Sequence, residues 1–216
     1  QKIQVQSNGG LIVAIISNGT TIADAAAFSV SLGSMVHIKT LTLSNAATAS
    51  FVDGADSVVL DDTFPLYKIS FIGMNSKSDN VHFTWQASIN TGSGYGVAIT
   101  SSFLDIYHGE DDSEAALAYD ARYDNHNSTS FTKLDRASSS TTSRVGSGEM
   151  ILFNPSSTTY VKNWHCRYQG ALRASYCDEF YTAGYVNTAS AVDAIQFKYS
   201  GGNMDGKIKL YGIKDS

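Results

Sequence analysis

The sequence predicts an all-β fold, an antiparallel β-sandwich preceded by an extended N-terminal arm, and three observations carry that prediction. Tyr and Phe number 12 and 10 among 216 residues, and Ser plus Thr supply about a fifth; aromatic and β-branched side chains favour pleated, half-buried surfaces. Short stretches alternate apolar and polar residues, most strictly over Val81–Ile89, which is the period of a strand with one buried face. Clusters of Gly, Asn, Asp and Ser separate these stretches at near-regular spacing, as in sandwiches and barrels. A hydrophobic content of 43% with only 16% charged residues excludes intrinsic disorder. The Ala/Glu/Lys/Leu/Arg-rich repeat of a coiled coil is absent.

In chain order, residues 1–33 read as an attachment segment and residues 34–216 as the sandwich domain. Leu11, Ile12, Val13, Ile15 and Ile16 form a short apolar run. It lacks the basic start and cleavage site of a signal peptide and suits an assembly arm docking on a neighbour. Met35–Leu43 reads as a strand whose apolar parity switches between Ile38 and Leu41, predicting a bulge near Lys39. Ala49–Val52 and Val58–Leu60 follow. Tyr67, Ile69 and Phe71 alternate with Lys68 and Ser70, and the turn chemistry of Met74–Asn80 predicts a hairpin with Val81–Ile89. Gly92–Gly96 (GSGYG) has the wrong spacing for a dinucleotide cradle and reads as a hairpin loop. Val97–Ile99, Phe103–Tyr107 and Met150–Phe153 read as strands. Glu114–Tyr119 alone has helix propensity, and the Ser/Thr-rich Ala137–Gly148 reads as a mobile surface loop. Thr158–Gln169 and Ala174–Ala183 predict a hairpin around Gly170–Arg173. Ala194–Tyr199 and Lys207–Ile213 close the chain, joined by Ser200–Gly206, whose Gly, Asn and Asp suit positive φ.

The chemistry is mostly exclusion. A net charge of −5 without a Lys/Arg stripe argues against nucleic-acid binding, which needs cations to displace phosphate counterions. No apolar stretch is long enough to span a membrane. The acidic run His108–Glu114 (HGEDDSE) does not match an EF-hand and reads as a solvated loop. Neither a nucleophile elbow nor a metal-ligand quartet occurs, so no catalytic residue, metal or cofactor is assigned. Cys166 and Cys177 lie on the two arms of the predicted hairpin. A turn centred between Ala171 and Leu172 would oppose them, leaving either free thiols or a cross-strand disulfide. Tyr160, Trp164 and Tyr168 share one strand face and read as core. Tyr95, Tyr107, Tyr123 and Trp164 are the aromatics that would serve a glycan or an interface if exposed.

Three regions carry a resemblance to a known family. Ser34–Leu43 followed by Ser50–Leu60 (SMVHIKTLTL, SFVDGADSVVL) and Asp61–Asn80 (DDTFPLYKISFIGMNSKSDN) resemble the opening of a family of virion-associated proteins of tailed bacteriophages. Leu152–Lys162 (LFNPSSTTYVK) resembles a later block, and Ala183–Ile213, ending KYSGGNMDGKIKLYGI, resembles its close. The blocks keep the family's order over about residues 34–214. The resemblance implies a jelly-roll-like domain and a structural role on the virion surface, as a capsid decoration or cement protein or as a fibre or tail appendage. It implies assembly with itself, as a homotrimer, and with major capsid or tail proteins after synthesis in the bacterial host cytoplasm. It brings no catalytic motif. The alternative reading is a carbohydrate-binding module that recognises a host surface glycan.

Overall fold

The computed structural model describes residues 34–172 and 175–215, together with the backbone of four strands before them. Those four are β1 (Ile3–Asn8), β2 (Leu11–Ser17), β3 (Thr20–Asp24) and β4 (Ala27–Phe28). They pair in sequence as an antiparallel meander, so the segment expected as an extended arm is a small sheet. It belongs to a unit of its own that ends at Val36, three residues beyond the expected boundary. The backbone of Leu11, Ile12, Val13, Ile15 and Ile16 runs in β2, while the side chains on which the arm reading depends lie outside the described residues.

Among the described residues that follow, twelve strands form two antiparallel sheets. They are β5 (Met35–Ala46), β6 (Ala49–Val52), β7 (Leu66–Ser76), β8 (Phe83–Ser88), β9 (Ile99–Gly109), β10 (Ala115–Tyr119), β11 (Thr132–Lys133), β12 (Gly146–Phe153), β13 (Lys162–Gly170), β14 (Tyr176–Val186), β15 (Ala194–Tyr199) and β16 (Met204–Ile213). The large sheet has the order β10-β9-β14-β13-β12-β7-β16-β5, and the small one β11-β8-β15-β6. Eight strands make a rolled hairpin: β5, β6, β7 and β8 pair with β16, β15, β12 and β11 respectively. Contacts of β7 with β16 and of β8 with β15 close the roll. The hairpins β9–β10 and β13–β14 are insertions that widen only the large sheet.

The sheets meet through aromatic rings. Phe71 of β7 lies 5.1 Å from both Phe83 of β8 and Phe197 of β15, and Trp85 of β8 lies 4.9 Å from Trp164 of β13. These edge-to-face contacts suit the ring quadrupoles and define an all-β sandwich. They also correct the expected hairpin: β7 and β8 face each other from opposite sheets. Likewise Gly92–Gly96 lies on the crossover from β8 to β9, with Gly92 at φ +73°. Tyr95 lies against it, so that a Cβ there would meet the Tyr95 hydroxyl at 2.9 Å.

Other departures have local causes. Glu114–Tyr119 supplies the edge strand β10, because pairing with β9 outweighs the weak helix preference of a short Ala/Leu segment. Val58 and Leu60 are buried without joining a ladder. The Ala137–Gly148 loop is tied down. Asn75 Nδ2 donates to the carbonyls of Thr141 and Arg144 at 2.9 and 3.1 Å, and the Asp79 carboxylate accepts from Ser140 N at 2.7 Å. Gly206, at φ +132°, forms the bulge where β16 crosses β7; a Cβ there would meet Gly73 O at 2.9 Å.

Candidate functional site

The outer face of the large sheet is the broadest surface whose side chains are set by strand register. Reading across the ladders, Tyr119, Leu104, Tyr181, Arg167, Glu149, Ser70 and Lys209 form one row from β10 to β16. Its composition changes along the way. At the β10 end the surface is apolar: Leu117 is 70% exposed, Tyr119 60%, Leu104 40% and Tyr181 39%. Such clustering is unusual for a surface with no partner. Glu110, Asp111, Asp112 and Glu114 lie beside this edge in the β9–β10 turn. The far edge is basic, with His37 and Lys39 on β5 and Lys207 and Lys209 on β16.

Between the two ends the face is polar and hollowed. Ser70, Ile72, Ser147, Glu149, Arg167 and Gln169 line a depression of about 480 Å³. A second of about 330 Å³ shares Ser147 and Gln169 and continues toward Cys177 and Glu179. Lys68 Nζ lies 2.5 Å from Glu149. Arg167 Nε donates to Glu179, and its guanidinium stacks over the Tyr181 ring at 5.7 Å.

The inner face of the widened end holds a different chemistry. Asp105 of β9 and Asp178 of β14 are buried, as is Asp135 on the segment that covers them. Asp105 is paired with Arg136 Nη1 at 2.7 Å. Asp135 accepts from Phe83 N at 2.8 Å and from the Ser138 hydroxyl at 2.5 Å. Burial pushes the Asp135 carboxyl up to about 7, with the charge of Asp178 acting in the same direction. His82, with Nδ1 at 3.8 Å from Asp135, is held below the ordinary imidazole range by burial and by Lys133. Tyr168 and Tyr199 are raised by burial and by the same carboxylate. The three carboxylates are closed off from solvent, while His82 and Arg136 are part-exposed, and together these groups tie the covering segment to the sheet.

The four predicted aromatics do not form one platform. Trp164 is core. Tyr107 and Tyr123 both lie near Arg136, whose guanidinium sits 5.9 Å from the Tyr107 ring. Tyr95 stands apart, in a shallow hollow with Ile89 and Val97. Cys166 and Cys177 are both free, the first buried and the second exposed. The hairpin register opposes Cys166 to Thr182, while Cys177 faces His108 on β9, so no disulfide forms. The turn is centred further along the chain than expected, and that slip separates the thiols. Sequence reasoning missed the exposed patch, although one signal was present. In Phe103–Tyr107, Leu104 and Ile106 interleave with Phe103 and Tyr107, so both faces of that strand meet something apolar.

No family model, curated protein or solved structure matches this chain. Among the described residues, no three or more His, Cys, Asp or Glu side chains are grouped to hold a metal ion. No helix among them is long and apolar enough to cross a membrane.

Proposed function

We propose that the protein is a structural component of the surface of a tailed-bacteriophage virion, working by homo-oligomeric assembly and not by catalysis. The carrying observation is the asymmetry of the large sheet. Its edge strands β10 and β5 differ in charge, acidic beside β10 and basic on β5–β16, and an exposed apolar patch adjoins the acidic edge. An unprotected apolar edge is a template for another chain. Opposite signs at the two edges favour a head-to-tail contact over a self-complementary one. Heterologous contacts of that kind close into rings when the rotation permits, which supports the homotrimer. The rolled hairpin supports a jelly roll, an architecture that recurs in capsid and lectin domains.

Light scattering on the eluting protein tests the assembly directly. The expected mass is a closed trimer, and Leu117→Lys should shift it to monomer without unfolding. A wild-type monomer at every concentration would overturn the assembly. Immunogold labelling of purified particles tests the location, and absence of label would overturn the virion role.

A further inference from the structure

We infer that the paired depressions on the outer face of the large sheet form a binding trough for a neutral oligosaccharide. The shape comes from side-chain lengths set by register: Ser70 and Ser147 give a low floor, while Ile72, Glu149, Arg167 and Gln169 rise around it. The adjoining depressions of about 480 and 330 Å³ each fall within the range of small-molecule sites, and their shared wall at Ser147 and Gln169 makes them consecutive subsites.

The lining selects the ligand class. The charges cancel locally, because Lys68 is paired with Glu149 and Arg167 with Glu179. An anionic or cationic ligand therefore meets no net counter-charge. Each ion pair holds a long side chain that lines the trough, Glu149 in one and Arg167 in the other, and a carboxylate and a guanidinium each carry more acceptors or donors than one such contact uses. With the Gln169 amide and two hydroxyls, donors and acceptors alternate over a short span. A purely apolar ligand would leave them unpaired at a cost. Vicinal hydroxyls, which both donate and accept, match them. Exposed Ile72 on one flank supplies the apolar surface that the carbon face of a pyranose ring requires. The trough stands on this face alone and does not depend on where the protein sits in a particle.

The test is saturation-transfer NMR and calorimetry with maltose, cellobiose, lactose and chitobiose, and with a sulfated disaccharide as the charged comparison. At least one neutral sugar should bind with a Kd of about 1 mM or tighter. Glu149→Gln and Gln169→Ala should each weaken it about tenfold, while Lys207→Ala, outside the trough, leaves it unchanged. Both trough positions are exposed, and circular dichroism melts verify that the variants fold. Three results would overturn the inference: no neutral sugar bound, binding of the sulfated sugar alone, or binding indifferent to both trough variants.

Discussion

Strands β8 and β13 alternate equally well in sequence yet live in different surroundings. In β13 the alternation is literal: Lys162, Trp164, Cys166 and Tyr168 are buried, while Asn163, His165, Arg167 and Gln169 are exposed. In β8 all six residues are buried, including Thr84, Gln86 and Ser88. The outer face of β8 is covered in part by the residues that lead into β11, and its polar side chains bond either that cover or the neighbouring strand β15. Gln86 Nε2 donates to the carbonyls of Thr129 and Ser130, both at 3.0 Å, and Thr84 Oγ1 donates to Lys198 O at 2.8 Å. Period-two patterning therefore tells which side of a strand faces the main core. It does not tell whether the polar side faces water or a hydrogen-bonded cover.

The largest expected effect lies on the face the two strands share. Trp85→Ala removes a fully buried indole from the contact with Trp164 and should cost about 3–5 kcal/mol in urea unfolding. A loss under about 1 kcal/mol would mean that the sheets do not meet there. The outward faces should then separate the strands. Gln86→Ala strands two carbonyls of that cover and should cost about 1–3 kcal/mol, whereas Gln169→Ala on β13 should stay within about 0.5 kcal/mol. Equal effects would erase the distinction drawn between them.

A subtler measurement follows the anchor of the covering segment. Asp135 has an ordinary carboxyl value of 3.8 and is pushed up to about 7 in the fold. The folded state therefore holds a proton that the unfolded state has released. Its contribution to stability is greatest below 3.8 and is lost as pH rises through about 7. His82, lowered in the fold, contributes the opposite slope below the ordinary imidazole range, so the informative quantity is a difference. Stability of Asp135→Asn relative to wild type should improve steadily between pH 4 and 7, measured by urea titration at each pH. A flat difference would mean that Asp135 titrates normally.

Much of the fold was legible because strand signals are local. Ala49–Val52 and Ala194–Tyr199 coincide with β6 and β15, each an apolar run bounded by turn residues. What failed was pairing. Consecutive strands usually neighbour one another, but from β5 to β16 the chain changes sheet at eight of eleven steps, so adjacent segments such as β7 and β8 stack instead of pairing. The candidate surface was less legible still. Arg167, Glu149 and Ser70 share a row only because the consecutive pair β12 and β13 is in register with the distant β7, and no spacing in the sequence encodes that. The buried carboxylates of Asp105 and Asp178 look in sequence like any solvated acid, since their cover comes from a distant segment.

The rolled hairpin also sets a timetable for the chain during synthesis. β5 is among the first strands of its unit to be made, and its partner β16 is the last: Asn45 N reaches Asp205 Oδ1 across 160 residues. At ordinary elongation rates that gap lasts roughly 8–30 s, during which β5 has made its apolar positions but not the strand that pairs with it. Non-local pairing of this kind slows folding. A chain that ends before Met204 leaves β5 and β7 on either side of the vacant place of β16, an open slot that the last strand of a finished second chain is shaped to fill.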